Sequence, residues 1–257
     1  MTAGHWPMME TWKMEWRLPG MSRGWCLLLE RLRMVASSQT PLLIEGEPGS
    51  RKSILARAVH DQSCRTVGPF LGVSCAPTDG QADLDLPDLV DRAAGGTLYL
   101  GTIDRLPGHV QQVLLALFER GLYRSGRERS SDVRIIAGTS GQLQDLVLAG
   151  RFRDDLLYRL EAVRIRVPPL REHPEDIPVL ARHFLQTLQR GASPREFTPA
   201  ALQTLASYHW PRNVTELREC IERLIHLSPS RHDAIDPEEL ATVLPLQSAR
   251  TDSARPF

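Results

Sequence analysis

The octapeptide Gly46-Glu47-Pro48-Gly49-Ser50-Arg51-Lys52-Ser53 constrains this chain more than any other stretch. It follows the phosphate-binding pattern G-x-x-x-x-G-K-[ST] except where Arg51 stands in for the second glycine. Such a loop works only between a strand and a helix, because its backbone N–H groups face the phosphates and the helix N-terminus adds its dipole. Both flanks are legible. Pro41–Glu45 is a short apolar run suited to a buried strand, and Ile54–His60 repeats apolar residues at helical spacing. An ordinary Gly/Pro/Ser turn would explain the loop but not its lysine. Lys13 and Lys52 are the only lysines, so an arbitrary cation here would be Arg. Gly46 through Ser53 are therefore expected to cradle phosphate, with the Ser53 hydroxyl as the weak Mg²⁺ ligand of the pattern.

Composition narrows the class. At 257 residues the chain can bury a full core and divide into one large and one small domain. Lys+Arg and Asp+Glu are 31 each, which gives no electrostatic footprint for nucleic acid or membrane. Cys26, Cys64, Cys75 and Cys220 have no C-x-x-C spacing and read as reduced, mostly buried thiols of a cytoplasmic protein. No apolar run approaches the ~18 residues of a membrane helix. Residues 1–17 differ from the rest, with Trp6, Trp12 and Trp16 among five tryptophans. They are expected to be a tail outside the fold, or a stripe of Met9, Trp12 and Trp16 that docks on a partner. Met8, Met9, Met14 and Met21 could each begin translation.

From Met21 onward, strand-like runs alternate with helical patterns, which predicts a mostly parallel α/β sheet covered on both faces. The expected order is a helix over Ser22–Ser38, strands Leu42–Glu45, Phe70–Ser74 and Thr97–Leu100, a helix Val110–Arg120, and strands Val133–Ala137 and Ala162–Val167. Pro168-Pro169 breaks the chain. Beyond it only helical patterns are read, over Ile177–Gln189, Pro199–Ser207, Val214–Leu227 and Pro237–Val243. The domains are placed at 18–170 and 171–245, with a polar tail at 246–257.

Several stretches together carry a resemblance. Phe70–Ala76, Gly95–Leu100, Val133–Ala137, Gly150–Leu160, Val167–Glu172, Glu175–Pro178 and Tyr208–Val214 resemble the AAA+ domain of bacterial enhancer-binding proteins, the sigma-54-dependent transcription activators. The similarity runs from about Leu18 to Val243. It implies a doubly wound P-loop NTPase (AAA+) domain, a small all-helical lid, a ring of AAA+ subunits with ATP between neighbours, and work on the transcription machinery.

The departures from that pattern bear on mechanism. Where the family places an Asp-Glu pair for Mg²⁺ and the attacking water, this chain has Gly101 and Thr102. Asp104 follows, with helix capping expected of it rather than a relocated metal role. Thr215 stands where the family's lid arginine touches nucleotide. The sensor position keeps Thr139 but has Ser140 for Asn. Arg51 either obstructs the turn or itself meets a phosphate, and obstruction is the expectation. Arg153 and Arg159, read as six residues apart on one helical stretch, align with the arginines that reach a neighbour's γ-phosphate. Their alternative is an Arg-rich surface helix paired with Asp154, Asp155 or Glu161. Between Cys75 and Gly95 the chain is short, Asp79–Asp91 reads as a simple acidic connection, and the loop that contacts sigma-54 has no counterpart. No direct DNA-binding element is expected before the end at Phe257. The expected function is a regulatory AAA+ module that binds ATP or ADP weakly or not at all, hydrolyses poorly, and assembles with a related subunit. A slow but active ATPase and a nucleotide-free structural pseudo-enzyme are the alternatives.

Overall fold

The computed structural model describes residues 19–76, 84–120, 132–189, 195–227 and 234–244. Five strands, β1 (Leu42–Glu45), β2 (Phe70–Ser74), β3 (Thr97–Gly101), β4 (Arg134–Thr139) and β5 (Arg164–Arg166), form one sheet in the order β2-β3-β4-β1-β5. Every neighbouring pair is parallel. Parallel strands need crossovers, and the crossovers cover both faces. The pleat decides which side chain goes where. Leu43, Leu98, Leu100, Ile135 and Ala137 enter one core, while Leu42, Ile44, Tyr99, Ile136 and Ile165 enter the other.

Helices α1 (Arg23–Ala36) and α2 (Lys52–Asp61) cover the second of these faces through Leu28, Leu32, Leu55 and Val59. The first face takes α3 (Leu86–Arg92), α4 (Gly108–Arg120), α5 (Leu143–Leu148) and α6 (Asp154–Leu160), with Leu86, Val90, Leu114, Leu143 and Leu156 fully buried. Each such leucine or valine contributes about 1.5–3 kcal/mol by leaving water. Helix α1 is closed at both ends. The Ser22 hydroxyl accepts from the Trp25 amide at 3.1 Å, and buried Arg134 donates to the Val35 and Ala36 carbonyls at 2.7 and 3.0 Å.

A third core belongs to the helices after the sheet, α7 (Ile177–Leu188), α8 (Pro199–Ser207), α9 (Asn213–Leu227) and α10 (Pro237–Val243), and centres on Ile177, Leu205, Trp210, Leu217 and Leu224. Asp176 ties this unit to the start of α1. Its carboxylate accepts from the Met21 and Ser22 amides at 2.5 and 2.8 Å and from the Ser22 hydroxyl at 2.6 Å. Burial pushes the Asp176 carboxyl up, but His173 and Ser22 outweigh it and hold it below its ordinary value.

Three expectations are corrected. Residues Asp85–Arg92 are no simple connection, because Leu86, Leu89 and Val90 form the buried face of α3 and the Asp85 side chain caps it. The region beyond Pro169 is not purely helical, because β6 (Glu196–Phe197) pairs in parallel with β7 (Ala234–Ile235). Of the cysteines, Cys75 and Cys220 are buried, but Cys64 is exposed. The tails at 1–17 and 246–257, the Met9-Trp12-Trp16 stripe and residues 79–83 lie outside the described residues. Among the described residues no helix is long and apolar enough to cross a membrane.

Candidate functional site

A cleft of about 690 Å³ opens at the C-terminal ends of β1, β3 and β4, beneath α9. This is where an open parallel sheet places ligands. The turn between β1 and α2 forms its floor. The Gly46 amide donates to the Thr139 carbonyl at 3.2 Å, and Gly49 has φ 77°. A Cβ at Gly49 would run into the Arg212 carbonyl oxygen, so only glycine fits there. Arg51 adopts the left-handed conformation, φ 62° and ψ 35°, that the pattern reserves for glycine. The turn closes with the arginine in place, and the strain is local.

Lys52 is buried. Its ammonium donates to the Gly46 carbonyl at 2.7 Å, the Glu47 carbonyl at 3.0 Å and the Ser140 hydroxyl at 2.9 Å. Burial lowers its pKa to about 8, against the pull of Asp104. The folded state thus loses this proton near pH 8 while the unfolded chain holds it to its ordinary lysine range. Across that window the unfolded state binds more protons, so stability rises with pH. In urea melts, wild type is expected to gain on Lys52→Met by about 1 kcal/mol per pH unit between pH 8 and 10. A difference independent of pH would contradict this placement of the charge.

The end of β3 carries no acid. Thr102, a β-branched residue at φ 51°, bonds through its hydroxyl to the Ser74 hydroxyl at 2.9 Å and the Gly101 carbonyl at 2.7 Å. Asp104 does not cap a helix. It lies in the 3₁₀ turn Ile103–Arg105, lines the cleft, and accepts from the Thr139 hydroxyl at 2.8 Å. The β3–β4 pairing brings these two residues together although 35 positions separate them. Asp104 is the one carboxylate among the described residues that line the cleft.

The roof comes from α9. Asn213 donates its side-chain amide to the Pro48 carbonyl at 3.0 Å and to Glu47 at 3.1 Å. Thr215 reaches the Gly49 carbonyl through its amide at 3.2 Å and its hydroxyl at 3.3 Å. Arg171 forms a bidentate pair with Glu47 at 2.6 and 2.7 Å, and this bond holds the Glu47 carboxyl below its ordinary value. The helical unit is thereby fastened to the turn. Neither Asn213 nor Arg171 is singled out from the sequence; the available signal is that they lie within the resembling stretches Tyr208–Val214 and Val167–Glu172.

Arg153 and Arg159 lie elsewhere, and they do not share a helix. Arg153 precedes α6 in extended conformation and pairs with Asp155 at 2.6 Å; Arg159 sits in the last turn of α6, 3.9 Å from Glu119. Both are exposed. Arg159 borders a separate cleft of about 600 Å³ with Tyr158 and Phe118.

The turn suits an anion. It offers two cations, and the Ser50 hydroxyl and Arg51 Nε are buried without a hydrogen bond. It suits a divalent cation less, with the Ser53 hydroxyl and the engaged Asp104 as the oxygen donors. Among the described residues no group of three His, Cys, Asp or Glu side chains converges as a metal site.

Residues 20–170 match the family described as the sigma-54 interaction domain, and residues 171–256 match the AAA+ ATPase lid domain. The chain belongs to the sigma-54 interaction domain family. This AAA+ domain is 37% identical to the C4-dicarboxylate transport transcriptional regulatory protein DctD of Pseudomonas aeruginosa, across 86% of the chain and 53% of the relative. It is 36% identical to the DNA-binding transcriptional regulator NtrC of Rhizobium meliloti, across 77% of the chain and 45% of the relative. The chain thus spans about half the length of the curated relatives it matches. Among solved structures, NtrX of Brucella abortus in complex with ATP superposes with a TM-score of 0.79 at 29% identity, covering 90% of this chain and 57% of that one. A RuvB mutant of Thermotoga maritima, at 15% identity and a TM-score of 0.63 over 86% of this chain and 67% of that one, shares the fold alone.

Proposed function

We propose that this AAA+ domain is a regulatory nucleotide-binding module of the sigma-54 type, which holds ATP or ADP in the Gly46–Ser53 cleft and cleaves ATP poorly. It acts on transcription by assembling with related AAA+ subunits. The observation that carries the reading is the asymmetry of the cleft. Its phosphate-binding half is built around Lys52, and its hydrolytic half has Gly101 and Thr102 where an acid pair would stand. Asp104, held by Thr139, is not free to replace both.

Nucleotide binding is supported by the likeness to NtrX, which is described with ADP and with ATP. When bound, ATP supplies the γ-phosphoryl group; this chain's residues then bind and orient it. Lys52 neutralises phosphate charge, the α2 N-terminus adds its dipole, and α9 excludes water from above. Ser140 is left to orient water by its hydroxyl, with Mg²⁺ held weakly through Ser53. The exposed Arg153 and Arg159, outside this cleft, are suited to reach a neighbour's γ-phosphate, where such arginines stabilise transition-state charge.

A slower second reading, an ATPase in its own right, draws on Asp104 facing the cleft. Mixing distinguishes the two. Added to an active sigma-54 activator ATPase domain, wild type is expected to change its turnover at least about twofold, and Arg153→Ala to abolish the change. Unaltered turnover at saturating ratios rejects the assembly reading.

A further inference from the structure

We infer that Arg51 is the phosphate-reading cation of this cleft, supplied by the loop instead of the lid; this rests on the nucleotide-binding reading above. Lys52 and Arg51 are consecutive but point to opposite sides. Lys52 turns toward β4, where the Ser140 hydroxyl and two loop carbonyls take its three protons. Arg51 lines the lid side of the same cleft, near Arg218 and Glu219 of α9. There it has no anion of its own. Glu219 is engaged by both terminal nitrogens of Arg212 at 3.1 and 3.3 Å, and Arg218 pairs with Glu222 at 3.9 Å.

Among the described residues, the Arg51 side chain makes neither a hydrogen bond nor an ion pair, and its Nε is buried. A half-buried guanidinium beside a like charge is unfavourable until an anion completes it. Its backbone adds a second cost, since φ 62° disfavours any side chain. Glycine would remove both penalties at once. What glycine cannot supply is a planar donor set facing the cleft, the geometry that recognises phosphate oxygens in pairs.

The roof residue opposite is already committed. Thr215 spends its amide and hydroxyl on the Gly49 carbonyl, which fastens α9 to the turn without any ligand. The two positions have divided the work: Thr215 holds the lid down, and Arg51 reads the phosphates. A polyphosphate is the ligand class this arrangement fits, because one cation on each side of the turn matches charge spread over more than one phosphoryl group.

The alternative is that Arg51 merely blocks the cleft, and the two give opposite signs. Calorimetric titration of the full chain with ATP, ADP and AMP is compared for wild type, Arg51→Gly, Arg51→Gln, Arg51→Lys and Lys52→Ala. Arg51→Gly is expected to raise the melting temperature of the unliganded protein, which shows that the variant folds, yet to weaken ATP and ADP about tenfold or more and AMP much less. Arg51→Lys is expected to stay closer to wild type than Arg51→Gln. Equal or tighter ATP binding by Arg51→Gly overturns the inference while leaving nucleotide binding intact. If wild type binds ATP no better than Lys52→Ala, the nucleotide-binding reading falls, and this inference with it.

Discussion

Installing Asp at position 101 together with Glu at position 102 is expected to raise ATP turnover about 10²–10³-fold over wild type in the presence of Mg²⁺. Position 101 ends β3 on the cleft, where the resemblance to sigma-54 activators places the acid pair, and phosphoryl transfer depends on such placed charges. The structure tolerates the change at modest cost. A Cβ at Gly101 would lie 3.3 Å from the Tyr99 ring and 3.4 Å from the Val73 carbonyl oxygen, so the ring must give by a few tenths of an ångström. At position 102 the change relieves strain, because unbranched Glu accepts φ 51° more easily than Thr. The hydroxyl bond from Thr102 to Ser74 is lost, a loss near the exposed rim of the cleft. Steady-state phosphate release, with Lys52→Ala in the double-variant background as control, reads the outcome. Turnover that stays at the Lys52→Ala level would mean that the missing acids are not what limits the site.

The largest effect on stability is expected at Trp210. Its side chain is fully buried, its indole donates to the Leu205 carbonyl at 2.8 Å, and Tyr208 packs against it edge-on with ring centroids 4.8 Å apart. Trp210→Ala leaves a cavity in the helical core and a carbonyl without its donor, a loss of about 3–5 kcal/mol. For a protein of this size that corresponds to a fall in melting temperature of roughly 10 °C. The same substitution reaches the cleft. Trp210, at φ 50°, leads through Pro211 and Arg212 into Asn213 and Thr215, which hold the turn from above. Calorimetry of Trp210→Ala beside Trp210→Phe separates volume from the indole bond, with Phe intermediate. A loss under about 1 kcal/mol for Ala would contradict the placement of Trp210 at the centre of that core.

Much of the sheet was legible because its strands are short apolar runs set off by Gly, Pro or polar residues. Leu42–Glu45 and Phe70–Ser74 lie where the sequence predicts them, and β5 closes the edge before Pro168. Helix α3 was not read, although Leu86, Leu89 and Val90 have helical spacing behind a capping Asp85. Seven residues in an acidic stretch gave too few turns for the period to stand out. The β6–β7 pair is two residues long on each side, below any pattern that alternation can report.

The site divides in the same way. The phosphate loop is local, so its residues announce themselves. Asp104 looked like a helix cap because its true partner, Thr139, becomes a neighbour only when β3 and β4 pair. Obstruction is what the sequence suggests for Arg51, since it cannot say that this side chain lines the cleft near Arg218 and Glu219 of α9.

Whether this cleft holds ATP and cleaves it poorly can be measured directly. It is tested by incubating the purified protein with labelled ATP and Mg²⁺, removing free nucleotide, and following the bound fraction over hours as ATP or ADP. Retention of intact ATP, abolished by Lys52→Ala, is the predicted result. Retention no greater than in Lys52→Ala, or bound label that turns to ADP within minutes, would contradict the proposed function.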